Sequence, residues 1–382
     1  MKRITYLLFI SVFSLYSTKA FADNDAKKST VHGWQIGGMY HRGEIQNHSS
    51  YITPIIERPS VGGEFFISKQ TYGAHRWNAF YNYPEYGICY TFLDVGSPTY
   101  VGNTHCLFPY LKFHLFNNHN RMNIHLRTGI GLGYAEKIYQ EKRINEWWNF
   151  AVSTHFNAVL SGQLQASCKI SNSWTFLAGG GITHFSNGAY KIPNMGMNVL
   201  DLFTGISHSF GKENRFIVSE NKINKKNKNW DCSIFFMAGA KERYTSTLSI
   251  DHEHTKYFAG DLNIELTKRH LQYTRFGLSL DATHDASEYD DEVVFQSLST
   301  SDKLRATKVG VSGGYVCLFG NLSLDLYFGT YLHDESGRGE KIYQRTSLRY
   351  PLSDRVKMSI SLRNHKGRAD FIGLGFGVRL TK

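Results

Sequence analysis

The chain has 382 residues, of which 41% are hydrophobic and 20% charged, with 35 Gly, 7 Pro, 23 Tyr and 26 Phe. This composition excludes a charged disordered chain and a collagen-like or proline-rich one. Mean hydropathy is −0.35, and beyond the N-terminal segment no stretch approaches the ~20 apolar residues of a spanning helix, which excludes a helical membrane protein. The formal net charge of +11 suits contact with anionic lipid headgroups or phosphorylated glycolipids, although a generally basic proteome would account for it equally.

Residues 1–22 read as a secretory signal. Lys2 and Arg3 make a basic start, Ile4 to Tyr16 a short apolar core, and Ala20-Phe21-Ala22 an A-x-A cleavage site before Asp23. Removing the three basic residues of this segment leaves a mature charge of about +8. Export argues against nucleic acid as a partner. The cysteines (Cys89, Cys106, Cys168, Cys232 and Cys317) are odd in number and widely spaced, so they outline neither a disulfide framework nor a zinc motif.

Period-two alternation dominates the rest of the chain. Met122, Ile124, Leu126, Thr128, Ile130, Leu132 and Tyr134 alternate with Asn123, His125, Arg127, Gly129, Gly131 and Gly133. A strand has this repeat because successive side chains point to opposite faces. The same pattern recurs around Phe276–Ala282, Leu322–Phe328, Val356–Leu362 and Ile372–Leu380. In a soluble sandwich the apolar face would pack on a second sheet; in a membrane barrel it would face lipid, with Gly and polar residues lining the interior. The export signal, the abundant aromatics and the Arg, Asp and Lys that share a face with Gly favour the barrel.

The strands expected in chain order are 61–69, 74–83, 86–95, 107–116, 121–136, 149–169, 173–186 and 198–210. After a polar, lysine-rich linker at 211–229 come 230–241, 257–268, 271–282, 304–318, 320–332, 341–350, 354–364 and 369–381, with one more extended segment available in 31–56. The predicted fold is all-β: an antiparallel transmembrane β-barrel of about 16 strands in two halves of about eight, as two small barrels or one wide one. The domains are then 1–22, 23–210, 211–229 and 230–382.

One segment, Thr183-His184-Phe185-Ser186-Asn187-Gly188-Ala189-Tyr190-Lys191-Ile192-Pro193-Asn194-Met195-Gly196-Met197-Asn198, stands out. It resembles the lipid A 3-O-deacylase family, the PagL-like acyloxyacyl hydrolases of the outer membrane. That family carries His-x-Ser-Asn at a strand end, then a Pro-Asn-x-Gly turn, then the next strand. A bare His-x-Ser carries no weight, since His48-Ser49-Ser50 contains one too and Thr154-His155-Phe156-Asn157 is a near-copy without the serine. The resemblance covers roughly 61–210, and Trp77-Asn78-Ala79-Phe80-Tyr81-Asn82-Tyr83-Pro84 with Gly87 also looks like longer members. The half after 230 lies outside the core resemblance.

The resemblance implies an outer-membrane serine esterase acting on lipid A of lipopolysaccharide, with Ser186 as nucleophile, His184 as general base, and neither cofactor nor metal. Residues two apart on a strand share a face about 7 Å apart, a gap an imidazole can span. Parity places both on the greasy face of their strand with Trp174, Phe176 and Ile182, and a hairpin would bring Asn198 beside them. Asn198 stands where the best-known members have glutamate: it can accept the imidazole N–H but offers the imidazolium no negative charge. The nearest acid, Asp201, falls on the opposite face. Backbone N–H groups of Asn187 and Gly188 are the candidate oxyanion hole, the Asn187 side chain pointing inward.

Other motifs carry less. Asp251-His252-Glu253-His254 lacks the spacing of a zinc hydrolase and reads as a solvated loop, as does Asp290-Asp291-Glu292. His41-Arg42 reads as an exposed polar pair. The glycines at 129, 131 and 133 are bare inward positions of a strand rather than a phosphate loop. A non-catalytic barrel (a pore or surface protein) and an outer-membrane phospholipase stay open as alternatives, and the oligomeric state is not written in the sequence.

Overall fold

The computed structural model describes residues 30–116, 121–140, 148–217, 230–243, 255–288, 306–334 and 341–381. The expected export signal, most of the expected linker and the acidic motifs at 251–254 and 290–292 lie outside these residues.

The described chain forms two closed, eight-stranded antiparallel barrels, each with consecutive strands as neighbours. The first comprises β1 (Thr30–Ile45), β2 (Ser60–Gln70), β3 (Glu85–Asp94), β4 (Asn103–His114), β5 (Met122–Ala135), β6 (Phe156–Lys169), β7 (Trp174–Ser186) and β8 (Met197–Arg215). The second comprises β9 (Trp230–Lys241), β10 (Tyr257–Leu271), β11 (Thr274–Asp285), β12 (Thr307–Phe319), β13 (Leu322–His333), β14 (Ile342–Pro351), β15 (Val356–His365) and β16 (Arg368–Arg379). Of the two arrangements the sequence allowed, the chain adopts two small barrels rather than one wide one.

The first barrel departs from the expected strand list in two compensating places. The 31–56 segment supplies β1, whose exposed Trp34, Ile36 and Tyr40 alternate with inward Gln35, Met39 and His41. Glycines at 33, 37, 38 and 43 dilute that pattern in the sequence. Conversely, 74–83 is no strand. It holds the short helix α1 (Arg76–Phe80), where the backbone N–H of His75 donates to Asn78 Oδ1 at 3.0 Å, and Asn82 and Tyr83 follow in the left-handed region at φ 56° and 54°. Its aromatic density imitates strand composition, but the cap and the left-handed residues set its path. Residues 149–155, expected at the start of a strand, form loop, and β6 begins at Phe156.

Closure depends on β1, which pairs with β2 on one edge and with β8 on the other, from Thr30↔Arg215 to Ile45↔Val199. This partner draws β8 on to Arg215, into the stretch expected to be linker, because its backbone groups are satisfied on the ladder. Closure leaves no unpaired sheet edge, the condition for a β-structure in hydrocarbon.

The burial pattern is inverted relative to a soluble protein. On β5 the apolar Met122, Ile124, Ile130 and Leu132 are exposed on the outer wall, while Asn123, His125 and Arg127 are buried inside. On β10 the exposed Leu262, Ile264 and Leu266 alternate with buried Asp261, Asn263 and Glu265. This is the wall of a transmembrane barrel. Inside the first barrel, Arg127 pairs with Glu64 and lies 3.7 Å over the Tyr110 ring, and the bare inward side of Gly129 admits Phe108: a Cβ there would sit 2.5 Å from that ring. His41, expected at the surface, is also inside, 3.0 Å from Asp201, and only Arg42 is exposed, as alternation requires of neighbours on a strand. All five cysteines are free thiols.

Candidate active site

The site lies at the end of the first barrel reached by β1 and β7, and three strands build it. In the ladder His184 of β7 stands directly across from Asn198 of β8 and from Leu160 of β6, and Ser186 across from Ala158 of β6. His184, Ser186 and Asn198 continue the outer face of their strands, the face that carries the exposed Trp174 and Phe176 on β7 and Leu200 and Leu202 on β8. Phe185, Met197 and Val199 point inward and are fully buried, and these anchors hold the parity of both strand ends.

His184 Nδ1 donates to Asn198 Oδ1 at 2.6 Å. With its proton on Nδ1, the ring presents Nε2 as an acceptor, the state a general base requires. Asp201 does not compete for this role. It is buried inside the barrel with His41, as its parity predicts.

Asn194 and Gly196, between β7 and β8, pack against these residues. Asn194 Nδ2 donates to Ser186 Oγ at 2.8 Å, and Asn194 Oδ1 accepts the backbone N–H of Asn187 at 3.3 Å. Asn194 thus occupies a lone pair of the Ser186 hydroxyl and not its proton. Sequence reasoning saw Asn194 only as turn chemistry; the missed clue was an amide placed to face back along the strand it had just left. Gly196 has φ +73°, and a Cβ there would lie 2.8 Å from His184 Cε1, so only a bare residue lets the backbone pass over the imidazole. Backbone bonds from Met195 N to Phe150 O (3.0 Å) and from Gly196 N to Ala151 O (3.1 Å) tie these residues to the segment 148–155 before β6.

Of the two candidate oxyanion donors, Asn187 has its N–H directed to Asn194, while its side chain goes inward and Nδ2 donates to Ser153 Oγ at 3.1 Å. Gly188 is buried with φ +65°. The near-copy at 154–157 assembles no comparable set: His155 Nδ1 meets the Ala135 carbonyl at 2.8 Å, and its ring stacks on Tyr134. Among the described residues no group of three or more His, Cys, Asp or Glu could hold a metal.

Comparison with known proteins bears on both halves. The family model for lipid A 3-O-deacylase (PagL) matches residues 61–207, and that for the acyloxyacyl hydrolase C-terminal domain matches 229–382. The deacylase model stops short of the half after 230, which lies outside the core resemblance, and the second model assigns that half to a C-terminal domain of acyloxyacyl hydrolases. Among solved structures, Neisserial surface protein A is 12% identical, over 48% of this chain and 100% of its own, with a TM-score of 0.31. A mutant of Rh. blastica porin is 10% identical, over 92% of this chain and 99% of its own, with a TM-score of 0.18. A search of curated proteins found no match. Fold and family matches together define the class, a transmembrane β-barrel of hydrolase type. More particularly, the chain belongs to the lipid A 3-O-deacylase (PagL) family and carries that family's C-terminal domain.

Proposed function

We propose that the protein is an outer-membrane serine esterase that removes an ester-linked acyl chain from lipid A of lipopolysaccharide. The observation that carries this reading is the hydrogen-bonded His184–Asn198 pair, two residues from Ser186, on the outer wall of a barrel in the segment matched by the deacylase model. Polar groups facing lipid are costly, so a cluster of three on an otherwise apolar wall indicates use or the headgroup rim. A substrate whose ester stays at the membrane interface meets a nucleophile there without leaving the bilayer.

In this mechanism His184 Nε2 takes the Ser186 proton as Oγ attacks the ester carbonyl carbon. The tetrahedral intermediate expels the sugar oxygen, which receives that proton from the imidazolium, leaving an acyl-serine. Water, deprotonated by the same nitrogen, attacks the acyl carbon and releases the fatty acid, and the proton returns to Ser186 Oγ. Asn198 holds the ring through Nδ1. Asn194 aims Oγ. The sequence connections between strands at this end of the barrel, after β1, β3, β5 and β7, are longer overall than those at the other, as on the external side of outer-membrane barrels where lipopolysaccharide resides.

The test is incubation of the folded protein with purified lipopolysaccharide, followed by mass analysis of the lipid part. Wild type releases one acyl chain, and Ser186→Ala lowers the rate by about a thousandfold or more while the barrel stays folded. Equal release by the variant would sink the assignment, and products derived from phospholipid alone would move the activity to a phospholipase.

A further inference from the structure

The geometry points to Gln46 as a positioning residue for this site: we infer that it sets which end of the Asn198 amide faces His184. Gln46 is the residue after β1, outside the segment matched by the deacylase model, and barrel closure brings it beside Asn198. Its backbone N–H donates to the Asn198 carbonyl at 2.7 Å, one step beyond the last ladder pair, Ile45↔Val199. Its carbonyl meets His48 Nδ1 at 3.0 Å, and His48 Nε2 meets the Met195 carbonyl at 3.3 Å. The main chain of Gln46 is therefore held at its donor by the Asn198 carbonyl. From that position its Oε1 accepts from Asn198 Nδ2 at 3.4 Å.

The consequence lies in the difference between an amide and a carboxylate. The two oxygens of a carboxylate are equivalent, so a glutamate or aspartate beside an imidazole accepts its N–H in either orientation. Asparagine has an oxygen and an NH2 group. Rotated by half a turn, Asn198 would offer NH2 to His184 Nδ1, forcing the ring proton onto Nε2 and removing the lone pair that must take the serine proton. An acceptor on the far side of the amide favours the productive orientation, and Gln46 Oε1 is that acceptor. The wrong tautomer of a triad histidine is severely inhibitory even with geometry intact.

This inference rests on the esterase reading, and its test separates the two. Acyl release from purified lipopolysaccharide is measured for wild type, Gln46→Met and Gln46→Glu, and then for the same Gln46→Met change in an Asn198→Glu background. Gln46→Met, which keeps length but offers no oxygen, is expected to lower kcat by roughly five- to tenfold with little change in KM, the size of one lost orienting hydrogen bond. Gln46→Glu, an acceptor only, retains kcat, which also shows that the position tolerates change. In the Asn198→Glu background Gln46→Met has no effect on kcat, because a carboxylate has no wrong orientation. Wild-type kcat in Gln46→Met, with Ser186→Ala inactive, would overturn the role of Gln46 and leave the esterase standing. An equal loss in both backgrounds would overturn it too, by showing a merely structural contribution. A wild-type protein that releases no acid overturns the parent reading, and the role of Gln46 with it.

Discussion

At the level of single residues, the candidate site is assembled from amides and one glycine as much as from the serine and histidine. Asn194 braces Ser186, Asn198 braces His184, and Gly196 passes over the imidazole because it has no Cβ. Gly196→Ala therefore places a methyl against His184 Cε1 in a backbone conformation that L-residues disfavour. The expected result is a loss of about 1–3 kcal/mol in stability and a drop of at least about tenfold in acyl release, read by thermal unfolding in detergent and by the lipopolysaccharide assay. Unchanged activity would mean that the ring does not need its present place. The specific string around Ser186 made His184, Ser186 and Asn198 legible in the sequence. Asn194 was not, because turn asparagines are common and only the folded turn shows which way an amide is aimed.

Among the strands, alternation is the main signal and fails where it is diluted. β5, β7 and the second barrel follow their expected spans within a few residues, since each buries one face in the lumen and turns the other to lipid. Glycines obscure β1, and the 74–83 segment misleads because aromatic content is a property of composition, whereas a strand is a property of repeat. The lipid-facing side of β6 gives a direct check. Leu164 is exposed on the outer wall near the middle of that strand, opposite Leu126 and Gly180. Leu164→Arg is expected to cost about 2–4 kcal/mol of folding stability in phospholipid vesicles by denaturant titration, against a much smaller cost in Leu164→Ala. Similar costs for the two would show that this face is not in hydrocarbon.

For the molecule as a whole, the interiors argue against a channel. In the second barrel Arg345 and Arg349 lie 2.7 Å from opposite oxygens of Glu265, Arg349 also reaches Asp325 at 2.7 Å, and Arg363 reaches Asp261 at 3.0 Å. Tyr343 donates to Asp281 at 2.6 Å, and both Arg345 and Arg363 are 0% exposed. A charge buried this way is stable only while paired, so the network acts as a solid filling and not as the wall of an aqueous passage. The first barrel is filled in like manner around Glu64, Arg127, Gln163 and His41. Planar-bilayer recordings of the pure protein are expected to show no stable ohmic conductance. Steady single-channel steps would instead support the pore reading.

Local patterning was enough to specify a β-rich chain, the greasy and polar faces of most strands, and a hydroxyl and an imidazole on one face, because a period of two is a property of neighbouring residues. Whether the sheet closes as two cylinders or one, whether Asn198 meets the ring, and whether Gln46 meets Asn198 depend on register and closure between residues far apart in the chain. Those contacts are decided only when β1 docks on β8, a pairing rewarded by the backbone hydrogen bonds it satisfies and invisible to any short window of sequence.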